Sequence, residues 1–233
     1  MRRTLSITGF VILLTGLAGA QRGPAPGSTG LGPDQIALMC APAPADLPDR
    51  MPAATRHRVT GGQAPTLRQA FAQGDLVTIS AGERQGIAVG QQFYTRTPIR
   101  GIDRKHPPSG KVAHTTGWIT VYAVDPDLSL ATVTHACTTI SPGDELAPLS
   151  IPDVPPADTR DLEPKRGDYA RVLEGAAGRT TFGTGDVFLI DRGRRQGVEP
   201  GARFVLYHDR RLRENFLYQT GEAVAIAVGQ RGE

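Results

Sequence analysis

The sequence predicts an all-β fold made of two related small β-barrel or sandwich modules, the second lacking its final strands. Three observations carry this. Residues 74–93, GDLVTISAGERQGIAVGQQF, return at a constant offset of 111 as residues 185–204, GDVFLIDRGRRQGVEPGARF, with nine identities. The apolar runs are short, β-branched or aromatic, and bounded by Gly, Pro and Asp. No window of useful length has the 3.6-residue period of an amphipathic helix.

Taken in chain order, Met1 to Ala20 carries Arg2 and Arg3, an apolar run from Phe10 to Leu17 and the small-x-small triplet Ala18-Gly19-Ala20. This reads as a signal peptide over residues 1–20, cleaved after Ala20. The apolar run is too short for a lasting anchor, so no stable membrane span is expected after cleavage, and the mature chain is expected to be secreted or periplasmic. The formal charge of +3 falls to +1 with the two signal arginines gone, which argues against nucleic acid as a partner.

Residues 21–57 read as a Pro/Ala-rich extended segment with a short apolar patch at 36–40. Cys40 and Cys137 are the two cysteines, and in an oxidising compartment such a pair is expected to close as a disulfide that staples the patch to the first module. Two buried free thiols are the alternative. No CxxC or Cys/His cluster accompanies them, so no metal or other cofactor is expected.

The first module is placed at 58–149. Its expected strands are Leu76 to Ser80, Gln92 to Thr97, Gly117 to Asp125, Leu128 to Ala136 and Glu145 to Pro148. In the third, Trp118, Thr120, Tyr122 and Val124 alternate with Ile119, Val121 and Ala123, so one face meets a core and the other is partly covered. Asp125-Pro126-Asp127-Leu128 then fits a type I turn into the next strand. Residues 150–167, with Pro152, Pro155, Pro156 and Pro164, form a semi-rigid linker to the second module at 168–233.

The shared residues are mostly turn formers. Glu199-Pro200-Gly201-Ala202 has the Pro-Gly signature of a type II turn, and Ala88-Val89-Gly90-Gln91 keeps only its glycine. Ser141-Pro142-Gly143-Asp144 repeats the step. Gly86 and Gly197, ahead of Ile87 and Val198, read as reversals that let one aliphatic side chain plug the barrel end. Gly86, Gly90, Gly143, Gly197 and Gly201 are therefore structural-turn residues. Asp75 and Asp186 read as turn caps rather than catalytic acids, and the shared Arg84-Gln85 and Arg195-Gln196 as exposed loop tips, with a shared binding role as the alternative.

The pattern GDxVxIxxGxxxGxxxGxxF, followed by a hairpin and a closing Pro-Gly-Asp, resembles the small β-barrel modules of bacterial envelope proteins. These include the C-terminal domain of flagellar assembly protein T, the β domains of the rod-shape protein MreC, and uncharacterised secreted proteins that sometimes carry a LysM segment. The resemblance implies non-enzymatic scaffolding or envelope attachment.

Aligning Thr116-Gly117-Trp118-Ile119 with Thr220-Gly221-Glu222-Ala223 leaves the second copy without counterparts of Leu128 to Pro148. Its last strand, placed at 222–228, is then an unpaired edge. Three readings stand: a truncated gene model, a smaller sheet completed by the first module or by self-association with another copy, or an edge kept for a partner strand.

No HxH, HExxH or GxSxG pattern occurs, and no enzyme is expected. The expected function is that of a secreted or periplasmic cell-envelope scaffold, docking or attachment module with an envelope protein or polysaccharide as partner. One alternative is a binding module for an acidic envelope polymer, gripping it through Arg100, Arg104, Lys105 and Lys111 of one hairpin loop and Arg210, Arg211 and Arg213 of the other. An envelope hydrolase is the second alternative.

Overall fold

Short β-branched runs separated by glycine turns leave little room for helices, and the computed structural model has the all-β architecture this implies. It describes residues 31–44, 57–63, 68–98, 112–158, 169–209 and 217–229. Residues 1–20, expected to be a signal peptide, and the basic residues expected at two hairpin tips lie outside the described residues.

A short helix α1 (Pro33–Met39) leads into β1 (Ala43–Pro44), β2 (Val59–Gly62), β3 (Leu76–Ile79), β4 (Gln92–Pro98), β5 (Val112–Val124), β6 (Ser129–Ala136) and β7 (Glu145–Pro148). These seven strands form one antiparallel sheet in the order β2-β3-β6-β5-β4-β7, with β1 against the start of β5. The C-terminal half adds β8 (Val172–Gly175), β9 (Phe188–Ile190), β10 (Arg203–Asp209) and β11 (Leu217–Val224), paired as the ribbons β8-β9 and β10-β11.

Several elements differ from the sequence reading. Neither half closes as a barrel. The seven-stranded sheet curls until its edges β2 and β7 touch at one isolated bridge, Arg58 with Glu145. Backbone hydrogen bonds flank it, from Leu146 N–H to His57 O, from Val59 N–H to Asp144 O and from Gly143 N–H to Val59 O. Segment 33–39 is helical rather than extended. Seven residues are too few for a helix to persist alone, so its order comes from packing and from the disulfide at its C-terminal end. β5 begins five residues before the expected Gly117, and its register against β4 shifts between Thr115 and Gly117. β11 ends at Val224, so the segment expected as edge strand 222–228 is strand only over its first three residues.

Two apolar layers hold the large sheet. Between its inner faces lie Val59, Phe71, Val77, Ile79, Ile87, Phe93, Ile119, Val121, Val133, Ile140 and Leu146. On the outer face, Trp118 at 0% exposure packs with Tyr94, Ala147, Met39 and Cys40. Residues 31–44 thus cover an aromatic face that would otherwise meet water, which is why the alternation along β5 is buried on both sides at Trp118 and open at Tyr122. The two halves meet where His114 Nε2 on β5 lies 3.0 Å from Glu174 Oε1 on β8.

Candidate functional site

The polar residues common to both halves act first on their own backbone. Gly82 N–H donates to the Gln85 side-chain oxygen at 2.8 Å, and Gly193 N–H to that of Gln196 at 2.9 Å. Each glutamine closes a 3-10 turn, Glu83–Gln85 or Arg194–Gln196. The turn ends on a left-handed glycine, with φ 78° at Gly86 and 77° at Gly197. The next residue, Ile87 or Val198, is buried beneath the turn. Arg84, Gln85, Arg195 and Gln196 are exposed, as the sequence reading has them, and the glutamines in addition clamp their turns.

The Pro-Gly type turns recur in the same way. Gly90 and Gly201 have φ 85° and 90°, and Gly143 has φ 96°. Gly90 N–H donates to Val121 O and Gly201 N–H to Ala225 O. An added Cβ at Gly201 would also sit 2.7 Å from Pro156 O, because the linker passes directly over it.

Asp75 accepts both guanidinium nitrogens of Arg68 and the Ala72 N–H, and Asp186 accepts Arg179 and the Gly183 N–H. The backbone N–H foremost, then the arginine, holds each carboxyl below its ordinary value of 3.8. A carboxylate kept ionised and occupied in this way is a poor proton donor at neutral pH.

The sign of the pH dependence follows from the depressed folded-state value. The contribution of Asp75 is complete above the unfolded value of 3.8 and is lost as pH falls through the lower folded one. Asp75→Asn is expected to lose about 1 kcal/mol at pH 7, the scale of a charge-assisted bond on a wet surface. Urea midpoints of variant and parent should converge as pH falls below the lowered folded-state value.

Pairings sequence reasoning did not find extend the match between the halves. Arg68 and Arg179 stand in a common Arg-x-x-Phe-x-x-Gly-Asp pattern whose phenylalanines, Phe71 and Phe182, press on Gly62 and Gly175. Val59 pairs with Ile79 and Gly62 with Val77, as Val172 pairs with Ile190 and Gly175 with Phe188. The register shift between Thr95 and Arg96 against β5 returns between Leu206 and Tyr207 against β11.

Cys40 and Cys137 form a disulfide with a Cα–Cα distance of 5.5 Å. His135 stacks on Trp118 beside it, ring centroids 4.4 Å apart, and burial holds this imidazole below its ordinary range. The ligand atoms of Cys40, His135 and Cys137 lie within 4.8 Å of one another, but the disulfide occupies both sulfurs. Asp144 is buried and accepts from the Thr116 and Thr97 hydroxyls and the Ser141 N–H, which spends its carboxylate on the closing turn.

The halves differ at their sheet edges. Among the described residues β9 pairs only with β8, and β11 only with β10. Val59 is 1% exposed while Val172, at the same place in its ribbon, is 40% exposed. Phe188, Ile190, Phe204 and Ala223 are half-buried, where Val77, Ile79, Phe93 and Ile119 are buried. Arg100, Arg104, Lys105, Lys111, Arg210, Arg211 and Arg213 all lie outside the described residues, so the structure brings none of them to a site. Comparison with protein-family models, curated proteins and solved structures finds no match to the chain.

Proposed function

We propose that the protein is a non-catalytic docking or scaffolding component working outside the cytoplasm, built of two related units, residues 58–149 and 168–233, joined by the linker at 150–167. The N-terminal unit is the finished one, with a full sheet, a disulfide and a covered aromatic face. The C-terminal unit repeats its turn clamps, aspartate locks and strand registers. The observation that carries the docking role is that, among the described residues, β9 and β11 each pair on one side only and bear half-buried apolar side chains. The Cys40–Cys137 disulfide supports a compartment where thiols oxidise, in keeping with a cleaved signal over residues 1–20.

Site-specific photocrosslinking in intact host cells tests this reading. A crosslinker at Val224 is expected to trap one defined partner, identified by mass spectrometry and by the reciprocal crosslink, whereas Tyr122 on the finished sheet traps none. No adduct at Val224, together with recovery of the protein in the cytoplasmic fraction, would contradict it.

A further inference from the structure

Sulfur and imidazole donors converge at one place that no spacing in the sequence marks. His135, on β6, lies opposite Trp118 on β5, and Cys137 follows two residues later, held by its N–H bond to Thr116 O. Cys40 comes from the other direction, as the residue that caps α1 through its N–H bond to Ile36 O. The ligand atoms of all three lie within 4.8 Å of one another.

Two features set this cluster apart from an ordinary half-buried bridge. The His135 imidazole makes no hydrogen bond among the described residues and is held by its stack on Trp118, so its ring nitrogens are open to a cation. Trp118 Nε1–H, in the same apolar layer as Cys40 and Cys137, is buried without an acceptor. A buried donor left unpaired is costly, and a charged thiolate is a far stronger acceptor than a disulfide sulfur.

The geometry suits a tetrahedral ion. Zn2+ takes thiolate and imidazole donors at about 2.0–2.3 Å, which sets neighbouring donors about 3.5–3.8 Å apart. That spacing falls inside the 4.8 Å envelope. The sulfurs need only part, and Cys40 is the one able to give, because a seven-residue helix and two paired strand residues are all the secondary structure its segment has.

We propose that the reduced chain binds one Zn2+ ion through Cys40 Sγ, Cys137 Sγ and the His135 imidazole, so that disulfide and metal are alternative staples between residues 31–44 and the sheet. A dithiol reductant breaks the S–S bond by giving two electrons and two protons, and closes as its own disulfide. Zn2+ then displaces the two thiol protons to water, and the imidazole and one water complete its four donors. The site lies wholly in the N-terminal half and does not depend on the docking reading.

The test uses full-length protein, reduced without oxygen and freed of metal, with Co2+ as the spectroscopic probe. One equivalent is expected to give the thiolate-to-cobalt band in the near ultraviolet and the visible bands of a tetrahedral ion, and Zn2+ to displace both. Zn2+ should also return the Trp118 emission of the reduced chain toward that of the oxidised one and protect residues 31–44 from proteolysis again. His135→Gln should weaken Zn2+ binding at least about tenfold, while its oxidised form closes the disulfide as the parent does. X-ray absorption of the Zn2+-loaded parent, which needs no substitution, should show two sulfurs and an imidazole.

The proposal is overturned by the lack of a tetrahedral cobalt spectrum, by equal binding to the oxidised protein, or by an absorption spectrum without imidazole. Zn2+ binding that leaves Trp118 emission at its reduced, metal-free value would put the ion on a released segment, and would overturn it as well.

Discussion

Reducing the Cys40–Cys137 disulfide, or replacing both residues by serine, is expected to destabilise the N-terminal half by about 4 kcal/mol and to release residues 31–44 from the sheet. The bridge spans 97 residues, and closing a loop of about 100 residues removes close to 4.7 kcal/mol of unfolded-chain entropy. The covering segment has few other holds. It has a seven-residue helix, two paired strand residues and the contacts of Met39 and Cys40 with Trp118 and Tyr94.

Once the bridge opens, Trp118 loses its cover. The readout is direct because the chain has one tryptophan. Its emission should shift to longer wavelength on reduction, and limited proteolysis should cut within 31–44 before it cuts β3 to β7. Unchanged emission and an unchanged melting temperature after confirmed reduction would show that the segment is held by packing alone.

Gly82→Ala is expected to be nearly as damaging, for a different reason. Gly82 has φ −139°, which any residue tolerates, so the cost is steric. A Cβ there would lie 2.1 Å from Asp125 O, 2.7 Å from Leu128 N and 2.8 Å from Asp127 N. All three are backbone atoms of the β5–β6 hairpin and cannot rotate away as a side chain would. The turn over residues 83–85 must then lift off, giving up the bonds from Glu83 N–H and Arg84 N–H to Asp125 O and Pro126 O. A loss of about 3 kcal/mol follows from overpacking of this kind.

Gly74→Ala is the comparison. It has φ 89° but open space around it, and should cost only the left-handed penalty of about 1–2 kcal/mol. Equal urea midpoints for the two variants would refute the steric account.

Much of the strand order was legible because turn chemistry survives in both copies. The glycines at 74, 86 and 90 return at 185, 197 and 201, and each has positive φ. The limits of the match were not legible. Arg58 and Arg171 occupy one structural place, Arg68 and Arg179 another, yet two residues fewer separate the second pair. The constant offset of 111 therefore runs back only to Arg68 and becomes 113 at Arg58, and the Arg-x-x-Phe-x-x-Gly-Asp pattern was the available signal.

Helix α1 was illegible because seven residues are too few to show a period, although Pro33 in its first turn and the Gly32 N–H bond to the Gln35 side chain are local start signals. β2 was not among the expected strands because two of its four residues are glycine, and it is a strand through its pairing with β3. Closure was misjudged because the period-2 pattern specifies which face is buried but not how far the edges β2 and β7 approach. The one-sided pairing of β11 among the described residues was anticipated by aligning the two copies, whereas that of β9 was not, because a short apolar run does not say which strands lie beside it.

The central claim is that β9, in a half that repeats the turn clamps and strand registers of the N-terminal one, is paired on one side only among the described residues. Native-state hydrogen exchange on the oxidised full-length protein tests it most directly. Segment 76–79, paired on both sides by β2 and β6, is expected to exchange only through global opening. Segment 188–190, paired on one side among the described residues, is expected to exchange about a hundredfold faster, a gap of about 2.7 kcal/mol. Equal protection of the two segments would mean that β9 already has a second neighbour, and would contradict the account.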